Sequence, residues 1–281
     1  MGAEPVVRPT GAAAGAGAGM DALHRERGKR VRRDRLERLV TLASPLILLA
    51  VWEAVTVLQL VDVRFFPRPS LVIGQLVEMV GSGELWRHLS VTLLRIAVGF
   101  VAGASAGVAF GLVMGGSRWV RAILNPMMWS IYPIPKIAIF PLILLVFGLG
   151  ETSKYVTVAI AVFFLVLFPT MAGVMGIPRM YIDAGHNLGA HGLDFYRRIA
   201  FPGALPAIFT GFRVGLGVAL IIIVGVEFVG ADSGIGYLVW NSWQLFNINR
   251  MFAGLMVLAA LGHLSSLALD ELQKRLVPWR V

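Results

Sequence analysis

Residues 178–206 carry a run of side chains able to do chemistry: Arg179, Asp183, His186, Asn187, His191, Asp194, Arg197 and Arg198. Long apolar stretches flank the run on both sides. His186 and His191 stand five apart on a segment interrupted by Gly189, a spacing that suits solvation or contact with a partner better than metal ligation. Histidines 24, 88 and 263 are scattered, and none pairs with another ligand type. The absence of cysteine excludes a disulfide framework, a thiolate metal site and thiol catalysis. No Gly-x-x-x-x-Gly-Lys-Ser/Thr phosphate loop occurs, so ATP cannot be bound by that route, and no nucleophile elbow is expected. Intramembrane proteolysis or lipid transfer would need a set of inward-facing catalytic groups, and none stands out. The run reads as a docking surface rather than an active site. The chain calls for no metal and no cofactor.

The local pattern supplies an element to carry that surface. Pro178 can open a helix, because its missing N–H falls among the donors that a helix start leaves unpaired. Tyr181, Ala184 and Leu188 then recur at helical spacing and give a narrow apolar face. Gly189 and Gly192 break the helix. Leu193 to Ala200 makes a further turn or two, and Pro202 and Pro206 lead into the next apolar stretch. A helix of about ten residues is roughly 15 Å long, too short to cross a bilayer and suited to a groove on a partner.

The rest of the chain is a membrane protein by composition. It has 281 residues, 57% of them hydrophobic, and a mean hydropathy of +0.76, which a soluble domain would not tolerate. The net charge of +9 could suggest nucleic acid, but Lys and Arg cluster between apolar spans, the pattern of membrane topology signals. Residues 1–35 are Ala/Gly-rich and then basic, a disordered cytosolic tail whose run at 25–35 serves as a lipid-facing anchor; no signal-peptide pattern fits. Residues 36–281 form one transmembrane domain. Six spans are expected, at about 39–61, 88–114, 120–147, 155–177, 207–229 and 251–272. Pro45 and Pro169 are kink candidates. Glycines 99, 103, 107, 111 and 115 make a smooth face along the second span, suited to close packing in lipid. Pro126, Pro133, Pro135 and Pro141 break the third span. Lys136 lies near its middle, where a charge is costly. Three readings stay open for it: a salt bridge to Glu227 or another acid, snorkelling, or an electrostatic guide for an anionic solute. Seventeen Lys and Arg residues fall on the side of the termini and five on the other, which places both termini and the 178–206 loop in the cytoplasm.

Several motifs also carry a resemblance. Asp183-Ala184-Gly185, then Gly189, Ile199 and Pro202, resembles the Glu-Ala-Ala loop of ABC-importer permeases, with the spacing kept throughout. The departures are Asp for Glu, Gly for the second Ala, and Phe201 for Leu. Gly185 lowers helix propensity by about 1 kcal/mol relative to Ala, which leaves the short helix leaning more on its partner. Ser90, Leu94, Arg95 and Gly99-Phe100 resemble a pattern of the nitrate/sulfonate/taurine branch, with Ser90 one place out of register. So do Pro135-Lys136-Ile137-Ala138 through Pro141, Phe147-Gly148, Glu151 to Lys154, and Glu227-Phe228-Val229-Gly230 with the following 231–237.

The resemblance implies an all-α, six-span type I importer permease with a cytosolic coupling helix. By that likeness Tyr181, Asp183, Ala184, Gly185, Leu188, Gly189, Ile199 and Pro202 would engage cytosolic ABC ATPase subunits, where ATP hydrolysis resides. An extracytoplasmic solute-binding protein would deliver a small, anionic solute of the sulfonate, taurine or nitrate kind. A second copy of the permease, in the bilayer of the inner membrane, would complete the path. Pro135, Lys136, Pro141 and Glu227 are the candidates to line that path. Within the family, a bicarbonate or vitamin-precursor importer is an alternative. The alternative class, a secondary transporter or channel working alone, explains broken spans but not a structured loop with this spacing.

Overall fold

The computed structural model describes Val40, residues 43–44 and residues 46–278. The tail expected over 1–35 and the kink expected at Pro45 lie outside the described residues. Among the described residues there is no strand. The chain divides into two units at Pro69.

In the first unit, helix α1 (Leu46–Val57) occupies the middle of the first expected span. Thr56 turns its hydroxyl back onto the Trp52 and Glu53 carbonyls at 3.1 and 2.9 Å. Beyond it, the Asp62 carboxylate accepts from the backbone N–H and the guanidinium of Arg64 and closes a tight turn.

From Pro69 onward the chain is a set of packed helices: α2 (Pro69–Gly81), α3 (Glu84–Gly116), α4 (Arg118–Ile131), α5 (Phe140–Phe147), α6 (Glu151–Met175), α7 (Arg179–Asn187), α8 (Leu193–Gly230), α9 (Ile235–Gln244) and α10 (Ile248–Leu276). α3 packs most extensively on α6, and α6 on α8. The glycine row explains the first of these contacts. A Cβ built at Gly99 would stand 2.6 Å from that of Val158. One at Gly107 would stand 2.7 Å from the Phe163 carbonyl oxygen, and one at Gly111 2.6 Å from the Thr170 Cβ. With no side chain in the way, the two backbones meet, and dispersion contact replaces the hydrophobic drive that lipid cannot supply. Ile96, Phe140, Val158, Val162, Ile223 and Val226 fill the core where α3, α5, α6 and α8 converge. A second cluster joins Val72, Met79, Leu85, Ile235, Leu238 and Val257, from α2, α3, α9 and α10.

Among the described residues, α3, α6, α8 and α10 are long and apolar enough to cross a membrane; α1 and α2 are shorter. The third expected span is two helices separated by a turn at 132–139, as its prolines required. Pro169 leaves α6 unbroken, and Gly211 of α8 packs beside it and the Leu165 carbonyl that it leaves without a helical donor. Residues 103–107 spell Gly-Ala-Ser-Ala-Gly, the letters of a nucleophile elbow. They lie within α3, where Ser105 donates to the Val101 carbonyl at 2.7 Å, so the strand–turn–helix context of an elbow is missing.

Candidate functional site

Two polar centres stand at opposite ends of α3. At its start, His88, Thr92 and Arg95 share one face at helical spacing. Arg95 is 1% exposed. Its Nη1 donates to Glu227 Oε1 of α8 at 2.9 Å and to the Ser233 carbonyl at 2.6 Å. Its Nε and Nη2 grip both oxygens of Glu151, at the start of α6, at 2.7 and 2.6 Å. Lys154, one turn on, donates to the same carboxylate at 2.9 Å. Glu227 is fully buried and takes further bonds from the Thr92 hydroxyl and from the Gly236 N–H at 2.8 Å. The first N–H groups of α9 are thereby satisfied: Gly234 by His88 Nδ1, Ile235 by Thr92, Gly236 by Glu227. Gly234 has φ of +115°, and a side chain there would run into the Glu227 carboxylate, so both backbone and space demand glycine. A buried pair of charges is tolerable where its hydrogen-bonding groups are used in this way, four of the five Arg95 N–H groups among them.

The four candidates for the path are not brought together. Glu227 belongs to the cluster just described and pairs with Arg95, not with Lys136, so the salt bridge to Glu227, one of the readings left open for Lys136, is not formed. Lys136 Nζ instead donates to the carbonyls of Ile131, Tyr132 and Ile134 at 3.2, 2.8 and 2.8 Å, and sits 4.7 Å from the centre of the Phe164 ring. The cause is local. Pro135 has no N–H for the Ile131 carbonyl, and the turn frees its neighbours as well. The ammonium caps the end of α4 from within its own chain. Pro141 is the second residue of α5, where its missing N–H costs nothing.

At the other end lies the 178–206 loop. Pro178 precedes α7, and Gly189 ends it at φ +81°. The Ala190 N–H reaches back to the Gly185 carbonyl at 2.9 Å and the Gly189 N–H to that of His186 at 3.0 Å, the paired bonds of a Schellman cap. Gly185 lies so close to Ile199 that an added methyl would overlap it, so the glycine that weakens the helix also lets it fold against the start of α8. Ile182 and Gly185 are half-buried, whereas Tyr181, Asp183, Ala184 and Leu188 are exposed, Leu188 by 88%. Tyr181, Ile199 and Pro202 line a groove of about 610 Å³ with Arg198. Tyr196–Ala200 forms a wide π-turn just before Pro202.

The family model described as binding-protein-dependent transport system inner membrane component matches residues 99–278. The chain belongs to that family. The permease is 37% identical over 251 residues to the taurine transport system permease protein TauC of Escherichia coli (strain K12), covering 87% of this chain and 91% of that protein. It is 31% identical over 252 residues to the putative aliphatic sulfonates transport permease protein SsuC of Bacillus subtilis (strain 168), covering 90% and 91%. Among solved structures, a chain of the inward-facing MetNI methionine ABC transporter aligns with a TM-score of 0.57 at 21% identity, covering 68% of this permease and 94% of that chain. A chain of an amino acid ABC transporter with histidines aligns at 0.54 and 20%, covering 72% and 97%. The all-helical importer-permease fold expected from the motifs is met at this level. Arg95, the hub of the buried cluster, was noted in sequence only as part of a pattern. Its partners Glu151 and Glu227 stood in separate motifs, with no signal that all three would meet.

Proposed function

We propose that this permease is the path-forming subunit of an ATP-driven importer for a small organic anion of the aliphatic sulfonate or taurine kind. The similarity to TauC and SsuC, over nine-tenths of each relative, supports the solute class. The observation that carries the coupling reading is the exposed apolar face of α7. A free-standing surface loop would bury or lose Tyr181 and Leu188, whereas a docking helix presents them. Asp183, Ala184, Gly185, Gly189, Ile199 and Pro202 then shape and support that face, and a cytosolic ATPase receives it. A solute-binding protein delivers substrate on the opposite side, and two copies of the chain enclose the path. α1 and the broken α4–α5 segment complete six spans, with both termini cytoplasmic. Pro135 opens the backbone beside the path, Pro141 starts the helix that follows, and Lys136 holds the break. Glu227 acts on the path through the fold rather than by touching solute. No sequence or structural feature favours a transporter working alone.

The test is direct. The tagged chain, purified together with the products of neighbouring genes, is expected to bring down an ATPase and to support taurine or alkanesulfonate uptake that depends on ATP and on a binding protein. Uptake by the chain alone, with no ATPase needed, would overturn the reading.

A further inference from the structure

A second cavity, of about 540 Å³, opens where the end of α3, the start of α4 and the loop meet. Arg121, Arg179, His186, His191 and Tyr196 line it, and no carboxylate does. Arg179, Ile182 and His186 follow one another at three- and four-residue spacing on α7, so this face looks into the cavity while Leu188 points away from it. The His186 and His191 rings stack with centroids 5.2 Å apart and planes 13° from parallel. Neither imidazole, nor the Arg179 guanidinium, has a hydrogen-bond or ion-pair partner among the described residues. Arg121 spends only Nη1, on the Met114 and Gly115 carbonyls at 2.9 and 3.0 Å, and keeps its other donors. Gly116 allows the Tyr196 ring to close the wall: a Cβ there would stand 2.7 Å from it. Trp119, in the first turn of α4, is 81% exposed, the placement of an aromatic at the headgroup level of a bilayer.

We propose that this cavity is a binding site for a tetrahedral oxyanion of the phosphate or sulfate class, presented on an anionic phospholipid headgroup or free in solution. Two guanidiniums with unused forked donors and no competing carboxylate match such an anion, because charge-assisted bonds from Arg are the strong ones. The two imidazoles and the Tyr196 hydroxyl supply further donors. The cavity is wider than an inorganic ion needs, which leaves room for a headgroup. This site is separate from the exposed face of α7 and stands whether or not that face docks an ATPase.

The full chain, purified in detergent, is titrated with phosphatidylglycerol against phosphatidylcholine, and with inorganic phosphate and sulfate against chloride at matched ionic strength, and its melting temperature is followed. The wild type is expected to be stabilised by at least one of these anions. The variant Arg179→Gln with His191→Gln is expected to need about tenfold or more of it for the same shift, the size of one lost charge-assisted bond. Stabilisation by phosphatidylglycerol alone identifies the lipid; stabilisation by phosphate or sulfate as well identifies the free anion. Both substituted side chains are exposed; should the double variant fail to purify, Arg179→Gln alone is read in the same way. No shift of the wild type beyond chloride and phosphatidylcholine, or an unchanged half-saturation in the variant, overturns the proposal.

Discussion

At one end of α3 the buried charges are paired with one another; at the other, charges stand open. Arg95 and Glu227 are excluded from solvent and hold four elements, α3, α6, α8 and the start of α9, through bonds of 2.6–2.9 Å. Around the loop, Arg179 and both histidines find no hydrogen-bond or ion-pair partner among the described residues, and Tyr181, Leu188 and Leu193 are exposed beside them. Arg198 pairs with Asp194, four residues earlier, on the surface. A buried, fully used ion pair fixes a geometry; an exposed, unpaired set leaves binding energy for something else. The first end is built to keep its shape. The second is built to be met.

The largest effect should come from breaking the buried end. Arg95→Met leaves Glu227 without its cation in the interior, which typically costs about 3–5 kcal/mol. A sharp fall in melting temperature and in the yield of folded chain is expected. Adding Glu227→Gln should recover part of it, since Gln can still accept from Gly236 and Thr92 while carrying no charge. A single variant as stable as wild type would show that the cluster does not hold these helices. Next is the contact between the two ends: Gly107→Leu forces a side chain against the Phe163 carbonyl and Val166. Overpacking costs about 1–3 kcal/mol, to be read as a lower melting temperature and less assembled protein.

These two variants also mark what was legible in the sequence. The glycine row could be read because its period is short and local, and its partner helix supplies nothing but surface. The loop could be read for the same reason: Pro178, Gly189 and Gly192 act on their own backbone. The Arg95 cluster could not, because 132 residues separate Arg95 from Glu227 and no periodicity joins them. For Lys136 the salt-bridge reading, one of three left open, failed for a physical cause. A cation at mid-span calls for a carboxylate, yet the prolines beside it had created carbonyl acceptors closer at hand. Helix α9 went unread because its residues serve a turn and a buried seat at once. Among the described residues four helices have the length of a full span, α1 lies within the first expected span, and α4 and α5 share the third, which its prolines interrupt.

Lys136→Met tests a middle case, a charge used within its own backbone. Removing it strands the Tyr132 and Ile134 carbonyls, while the Ile131 carbonyl keeps the Ile134 N–H at 3.2 Å, and the site is only half-buried. A loss of about 1 kcal/mol is expected, below the usual range for bonds to charged groups. Anion uptake should stay near wild type. Uptake that falls while melting temperature and assembly hold would return Lys136 to the path as an electrostatic guide.

The smallest effect on stability, and the one that separates the two ends most clearly, should come from Leu188→Ser. Leu188 is 88% exposed at the end of α7, so it contributes almost nothing to packing, and a surface change of this kind is usually within about 0.5 kcal/mol. It also sits before the Schellman cap and leaves the bonds of Gly189 and Ala190 in place. The folded chain should therefore melt with the wild type. Yet Leu188 is the most prominent apolar group on the face assigned to the ATPase, and an apolar anchor seated in a partner groove carries far more binding energy than its weight in the free chain suggests. Copurification of the ATPase should weaken, and substrate-stimulated ATP hydrolysis and uptake should fall together. Normal uptake by Leu188→Ser would move the docking surface off this face of α7. A melting temperature well below wild type would instead mean that Leu188 is buried in the free chain, and the contrast between the two ends of α3 would lose its basis.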